Sequence, residues 1–236
     1  MLITFDSLIY IAAALLPALV LLRYIYRHDR VESESPRLLL SLIGVGVLAA
    51  IPAVILETIC DELVMANLGI TNEVVYFIIY ATMIGLVEEG CKYYFLHKMT
   101  WDHPEFNYLF DGVVYAVFVS LGFASIENIL YVFQYGLSVA VLRAVLAVPG
   151  HMGFAVFMGV FYGLAKLAYV QGNEKLKKTY LILAYVAAVA LHAIYDACAM
   201  IDTTFSAVLF IVFVVAMYVI VYRLVRNTSR KDISIY

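Results

Sequence analysis

The sequence predicts an all-α, polytopic membrane bundle of about seven helices, one embedded domain over residues 1–236 with the N-terminus outside and the C-terminus cytoplasmic. Three observations predict it. The chain is 65% hydrophobic and 14% charged, with mean hydropathy +0.95, whereas soluble domains are about 45–50% apolar and about 25% charged. Seven apolar runs reach the length of a membrane span, about 20 residues. The basic residues sit in alternate connections. This composition excludes an ordinary soluble domain and a disordered chain. A net charge of −3 argues against nucleic acid as a partner. The cysteines Cys60, Cys91 and Cys198 form no disulfide framework or zinc-ribbon spacing.

In chain order the runs are 5–22, 38–57, 74–95, 110–133, 152–169, 180–200 and 205–222. The first carries Asp6, has no basic stretch before it and leads straight into another span, unlike a cleavable signal peptide. The second ends at Glu57, read here as the start of an acidic outer connection with Asp61, Glu62 and Glu73. Residues 138–149 are apolar but too short to cross. Pro149-Gly150 is expected to break them, leaving a helix at the outer surface or dipping inward. Gly153, Gly159 and Gly163 predict close helix packing in the fifth span.

Arg23, Arg27, Arg30 and Arg37 separate the first two spans, and Lys98 follows the third. Lys166, Lys175, Lys177 and Lys178 end and follow the fifth, and Arg223, Arg226, Arg230 and Lys231 follow the seventh. The opposite connections contain no Lys or Arg, so the positive-inside rule sets the orientation. The two exceptions are Lys92 and Arg143.

Several charges lie where they are expensive. The third span holds Glu88, Glu89 and Lys92. Each charge near a span centre costs about 2.5–3.5 kcal/mol, and each Leu, Ile, Phe or Val returns about 0.3–0.6. Such a helix needs partners in a protein interior. Glu88 and Lys92 are four apart and share a face, while Glu89 is expected to point about 100° away. Glu127 and Asn128 lie deep in the fourth span, and Asp111 sits at its start, where a helix N-terminus favours an anion. His192 and Asp196 share a face of the sixth span. His151 begins the fifth, and Arg143 either reaches the headgroups or holds a carbonyl or carboxylate. Ionisable groups on separate spans require a shared polar cavity. Water activation for hydrolysis and proton- or ion-coupled transport both suit acids with histidines there. The inverted repeats of a transporter are not found. A structural ion-pair network, in a non-catalytic membrane scaffold, is the remaining alternative.

Four motifs carry a family resemblance. They are Glu88-Glu89-Gly90-Cys91-Lys92, Phe110-Asp111-Gly112 with Tyr115, Gly122-Phe123-Ala124 with Glu127-Asn128, and His192 with Asp196. In this order over residues 85–200 they resemble the PrsW family of bacterial membrane proteases. The resemblance implies the first cut of a membrane-anchored anti-sigma factor in envelope-stress signalling, with a single-pass membrane protein as substrate and the lipid bilayer as surroundings. Prenyl (CAAX-type) endoproteases and bacteriocin-processing peptidases belong to the wider superfamily. They carry arginine, histidine and asparagine where this chain has Lys92, Glu127 and Asp196.

For peptide hydrolysis Glu88 is expected to be the general base, with Glu127 helping to hold the water. Lys92 would keep one glutamate charged, and His192, oriented by Asp196, would stabilise the oxyanion or deliver a proton. Glu89 would bind substrate backbone or fix the helix. Asn128, Arg143 and His151 are supporting candidates. No cofactor is favoured, because no HExxH or other tight ligand spacing occurs. The alternative is zinc on Glu127, His151 and His192 with Glu88 as base. Cys91 reads as packing. Straight helices would place Glu88 and Glu127 more than about 10 Å apart in depth.

Overall fold

The computed structural model describes residues 5–236, with side chains from residue 7 onward. The side chain of Asp6 therefore lies outside the described residues. Eight α-helices follow one another: α1 (Phe5–His28), α2 (Pro36–Leu63), α3 (Glu73–Thr100), α4 (Asp111–Tyr135), α5 (Leu137–Val145), α6 (Ala147–Val170), α7 (Glu174–Met200) and α8 (Thr204–Arg230). Their starts follow capping chemistry. Ser35, Asn72, Asn173 and Thr203 each accept a backbone N–H of the first turn of α2, α3, α7 and α8. Seven helical stretches are long and apolar enough to cross a membrane, α5 and α6 forming one of them, so the chain is a multi-pass membrane protein. Leu40, Ile51, Leu142, Ile182, Phe205 and Ile211 are exposed on the outside of the bundle, as lipid-facing positions should be.

Helix α4 is the axis of the bundle. It is apolar all round and buried over most of its length, the pattern of a helix surrounded by others. It packs mainly on α2 and α6, and α7 packs on α6 and α3. Close approach of α4 to α6 requires glycine. A Cβ on Gly159 would collide with the backbone of Gly112 and Val113, and one on Gly163 with the carbonyl of Leu109. The close packing expected of these glycines is present, with Gly153 meeting the Met217 side chain of α8.

Two boundaries and the burial of one lysine go beyond the sequence reading. The break between α5 and α6 falls at Leu146, not at Pro149-Gly150. Pro149 is the third residue of α6, where a missing N–H costs no intrahelical hydrogen bond, so it opens the helix rather than ending the previous one. Helix α2 continues to Leu63, which puts Glu57 inside a helix and not in a connection. Lys166 is buried, not a charge at the membrane surface. Its ammonium donates to the carbonyl of Trp101, the residue closing α3, where a cation suits the helix C-terminus.

The far end of α4 is fastened by polar contacts. Asp111 Oδ2 accepts the N–H groups of Asn107 and Tyr108 at 2.9 and 2.6 Å, closing the connection that precedes α4. The C-terminal residues dock on this connection. Asp232 accepts from Phe110 N–H, and Ile235 N–H donates to Asn107 at 2.8 Å.

Candidate active site

A cavity of about 540 Å³ opens between α2, α3, α4, α6 and α7, close to the α5–α6 break. Its polar lining includes Glu57, Glu88, Glu127, Arg143, His151, His192 and Asp196. Helix geometry places these groups. Gly85, one turn before the glutamate pair, meets the α7 backbone at Val189 and Ala193 and the Cβ of His192. That contact draws α3 onto α7 and brings Glu89 within reach of His192.

Lys92 is the hub. Its ammonium donates to Glu88 Oε2 at 2.9 Å, to Glu89 Oε1 at 2.7 Å and to His151 Nδ1 at 3.2 Å. It also lies 4.1 Å from the centroid of the Phe123 ring, a favourable cation–π placement. Three N–H donors meet three acceptors, and the side chain is 1% exposed. Glu88 and Glu89 face different surroundings, yet both reach one lysine from i,i+4 and i,i+3 positions. Glu89 is fully buried and does not line the cavity. Its Oε1 holds Lys92 and also accepts from His192 Nδ1 at 3.0 Å. Glu88 commits only Oε2 to Lys92 and turns toward the cavity.

The histidine states follow from their neighbours. His151 Nδ1 faces an ammonium and must accept, so Nε2 carries the proton and donates to Glu127 at 2.9 Å. His192 faces carboxylates on both sides, Glu89 at Nδ1 and Asp196 at Nε2 (3.3 Å). Only an imidazolium donates to both. Its ring stacks on Phe154 at 4.8 Å between centroids. Arg143 pairs with Glu127 at 3.0 Å and donates from Nε to Asn128 Oδ1 at 2.8 Å. The atom facing Glu127 is Nη2, which is buried. Asn128 in turn donates to the carbonyl of Ala14, tying α1 to α4.

Every site residue expected from the sequence thus belongs to one network spanning α3 to α7. Glu88 and Glu127 line the same cavity and are linked through Lys92 and His151, so the expected depth separation is closed. Sequence reasoning missed Glu57, Ser120 and Phe154. Ser120 donates to the carbonyl of His151 at 3.0 Å, fixing that histidine from behind. Glu57 carried a signal, an acid inside an apolar helix, hidden by ending the span there.

Ligand atoms of Glu88, Glu89 and His151 lie within 4.8 Å of one another, the one such group among the described residues. The same three groups all bind the Lys92 ammonium, and a divalent ion there would face that ammonium at close range. With Lys92 seated, the set does not fit a metal. Glu127, His151 and His192 do not converge as a ligand group either.

Comparison with known proteins bears on the same residues. The family model described as PrsW family intramembrane metalloprotease matches residues 34–223. A relative named Protease PrsW from Oceanobacillus iheyensis is 34% identical over 227 residues, covering 95% of this chain and 98% of its own. Those of Geobacillus kaustophilus and Bacillus subtilis are 34% and 32% identical over 186 residues, each covering 79% of this chain and 77% and 80% of their own. No solved structure matches the chain.

Proposed function

Since the chain belongs to the PrsW family of intramembrane proteases, we propose that it cuts its substrate by a glutamate-type mechanism, with water activated by Glu88. The observation that carries this reading is the state of Glu88, which has one oxygen on Lys92 and the rest of the carboxylate turned to a polar cavity inside a membrane bundle. Peptide hydrolysis needs a base, a stabilised oxyanion and a proton for the leaving amine. Glu88 takes a proton from water lying between it and Glu127. Arg143, paired with Glu127, and His192 are the cationic side chains lining the cavity, where a carbonyl oxygen would find donors. The His192–Asp196 contact is the longest in the network, so Nε2 is the donor most easily released. Protonated Glu88 then returns its proton to the amine. Glu89, Lys92 and Asn128 hold these groups in place from behind the cavity wall, and His151 fixes Glu127 from the wall itself.

The substrate we infer is a single-pass membrane protein, an anti-sigma factor receiving its first cut, with the N-terminus of the protease outside and its C-terminus cytoplasmic. The test is cleavage of a tagged anti-sigma factor in proteoliposomes. Glu88→Gln keeps the shape but removes the proton acceptor, and should lower the rate by about 10²–10⁴-fold. A folded Glu88→Gln protein that cleaves at the wild-type rate would falsify the mechanism.

A further inference from the structure

Resting on that reading, we propose that Glu57 is a recognition residue for a cationic group of the substrate chain, an ammonium or guanidinium held beside the scissile bond. The other acids lining the cavity each have a cation. Glu88 has Lys92 at 2.9 Å, Glu127 has Arg143 at 3.0 Å, and Asp196 has His192 at 3.3 Å. Glu57 pairs with no cation among the described residues, and its Oε1 is buried without a hydrogen-bond partner. Lys92, Arg143 and His192 are already shared among acids, and His151 is neutral by its contacts. Glu57 is thus the acid on the cavity wall that has no cation beside it.

The surroundings of Glu57 suit such a guest. One and two turns earlier on α2, the cavity wall is Val54, Ala53 and Ala50, small apolar side chains along which the methylene stem of a Lys or Arg can lie while its head reaches the carboxylate. Helix α2 contributes no other charge to the cavity. A carboxylate in low dielectric attracts a cation strongly and a neutral isostere hardly at all. Two sources supply that cation, a basic side chain of the intact substrate or the amino terminus released by the cut.

The experiment separates them. In proteoliposomes, a single-pass substrate carries Lys, Arg, Gln or norleucine in turn at each position around the scissile bond. In a parallel arm, the C-terminal product is added as inhibitor with a free or acetylated amino terminus. For a side-chain source, one position should favour Lys or Arg over the neutral residues by about 10- to 100-fold in kcat/KM, the scale of a hydrogen bond to a charged group. For the released terminus, the free product should inhibit more strongly than the acetylated one by a similar factor. In Glu57→Gln either ratio should fall to near one. An active wild type with no discrimination in either arm overturns the proposal, and so does a preference that persists in Glu57→Gln. Absence of discrimination in both wild-type series overturns the proposal even where Glu57→Gln fails to fold. A wild type that cleaves no substrate sinks the protease reading and this one with it, and is recognised by the absence of any product.

Discussion

Replacing Lys92 by Met keeps the length of the side chain and removes its charge, which makes it the sharpest probe of the network. The wild-type ammonium serves Glu88, Glu89 and His151 at 2.9, 2.7 and 3.2 Å, with Glu89 fully buried behind it. Its removal leaves carboxylates in the protein interior with no lysine partner. Breaking a buried pair from one side costs about 3–5 kcal/mol. In a chain of this size each kcal/mol moves Tm by about 2–4 °C, so a loss of about 6–20 °C is expected. A double-mutant cycle with Glu89→Gln should recover part of that loss, since the neutral amide no longer needs the ammonium. The variant also vacates the centre among three donors whose ligand atoms lie within 4.8 Å of one another. Lys92→Met should then bind zinc and gain Tm on its addition, while wild type does neither. The assays are thermal unfolding in detergent and elemental analysis after dialysis. A Lys92→Met protein as stable as wild type, or wild type holding one tight zinc per chain, would refute the assignment of the ammonium as the resident cation.

Other outcomes follow from the same geometry. Cleavage by wild type should survive chelators, checked by rate before and after treatment; chelator-sensitive activity restored by zinc would move the mechanism to a metal. Cysteines introduced in the 64–72 connection should be labelled in intact cells and those in the 171–173 connection spared, and the reverse pattern would invert the orientation. Burial pushes Asp29, just beyond α1, up to about 6, above its ordinary 3.8. The folded protein therefore binds this proton more tightly than the unfolded chain, and stability is lost as pH rises through that interval. Asp29→Asn should raise Tm at pH 8 and change it little at pH 4, and an equal gain at both would contradict this.

The spans were legible because apolar runs of that length have few other uses, and the site residues because charges inside them are costly enough to demand a shared cavity. Local boundaries were less legible. Pro149 reads as a breaker from composition, yet three residues into a helix its missing N–H costs nothing. Glu57 reads as part of a connection because an acid ends an apolar window, although α2 runs on to Leu63. Lys166 reads as one more basic residue at the end of a span, and only the structure shows its ammonium buried on the Trp101 carbonyl.

Counted along straight helices Glu88 and Glu127 differ in depth, and side-chain direction accounts for how that gap closes. From its N-terminus α3 runs fifteen residues to Glu88, and α4 continues eight beyond Glu127 to Tyr135. The two helices are consecutive spans and so antiparallel. Side chains on a helix lean toward its N-terminus. Lys92 therefore leans along α3 toward the end where Glu127 lies, and Glu127 leans along α4 the opposite way, toward Lys92. His151, near the start of α6, spans what is left with one ring nitrogen on each. Span counting treats each residue as a point at its Cα height. A lysine, an imidazole and a glutamate placed head to head cover that distance, so four helices can meet at one carboxylate cluster without any of them unwinding.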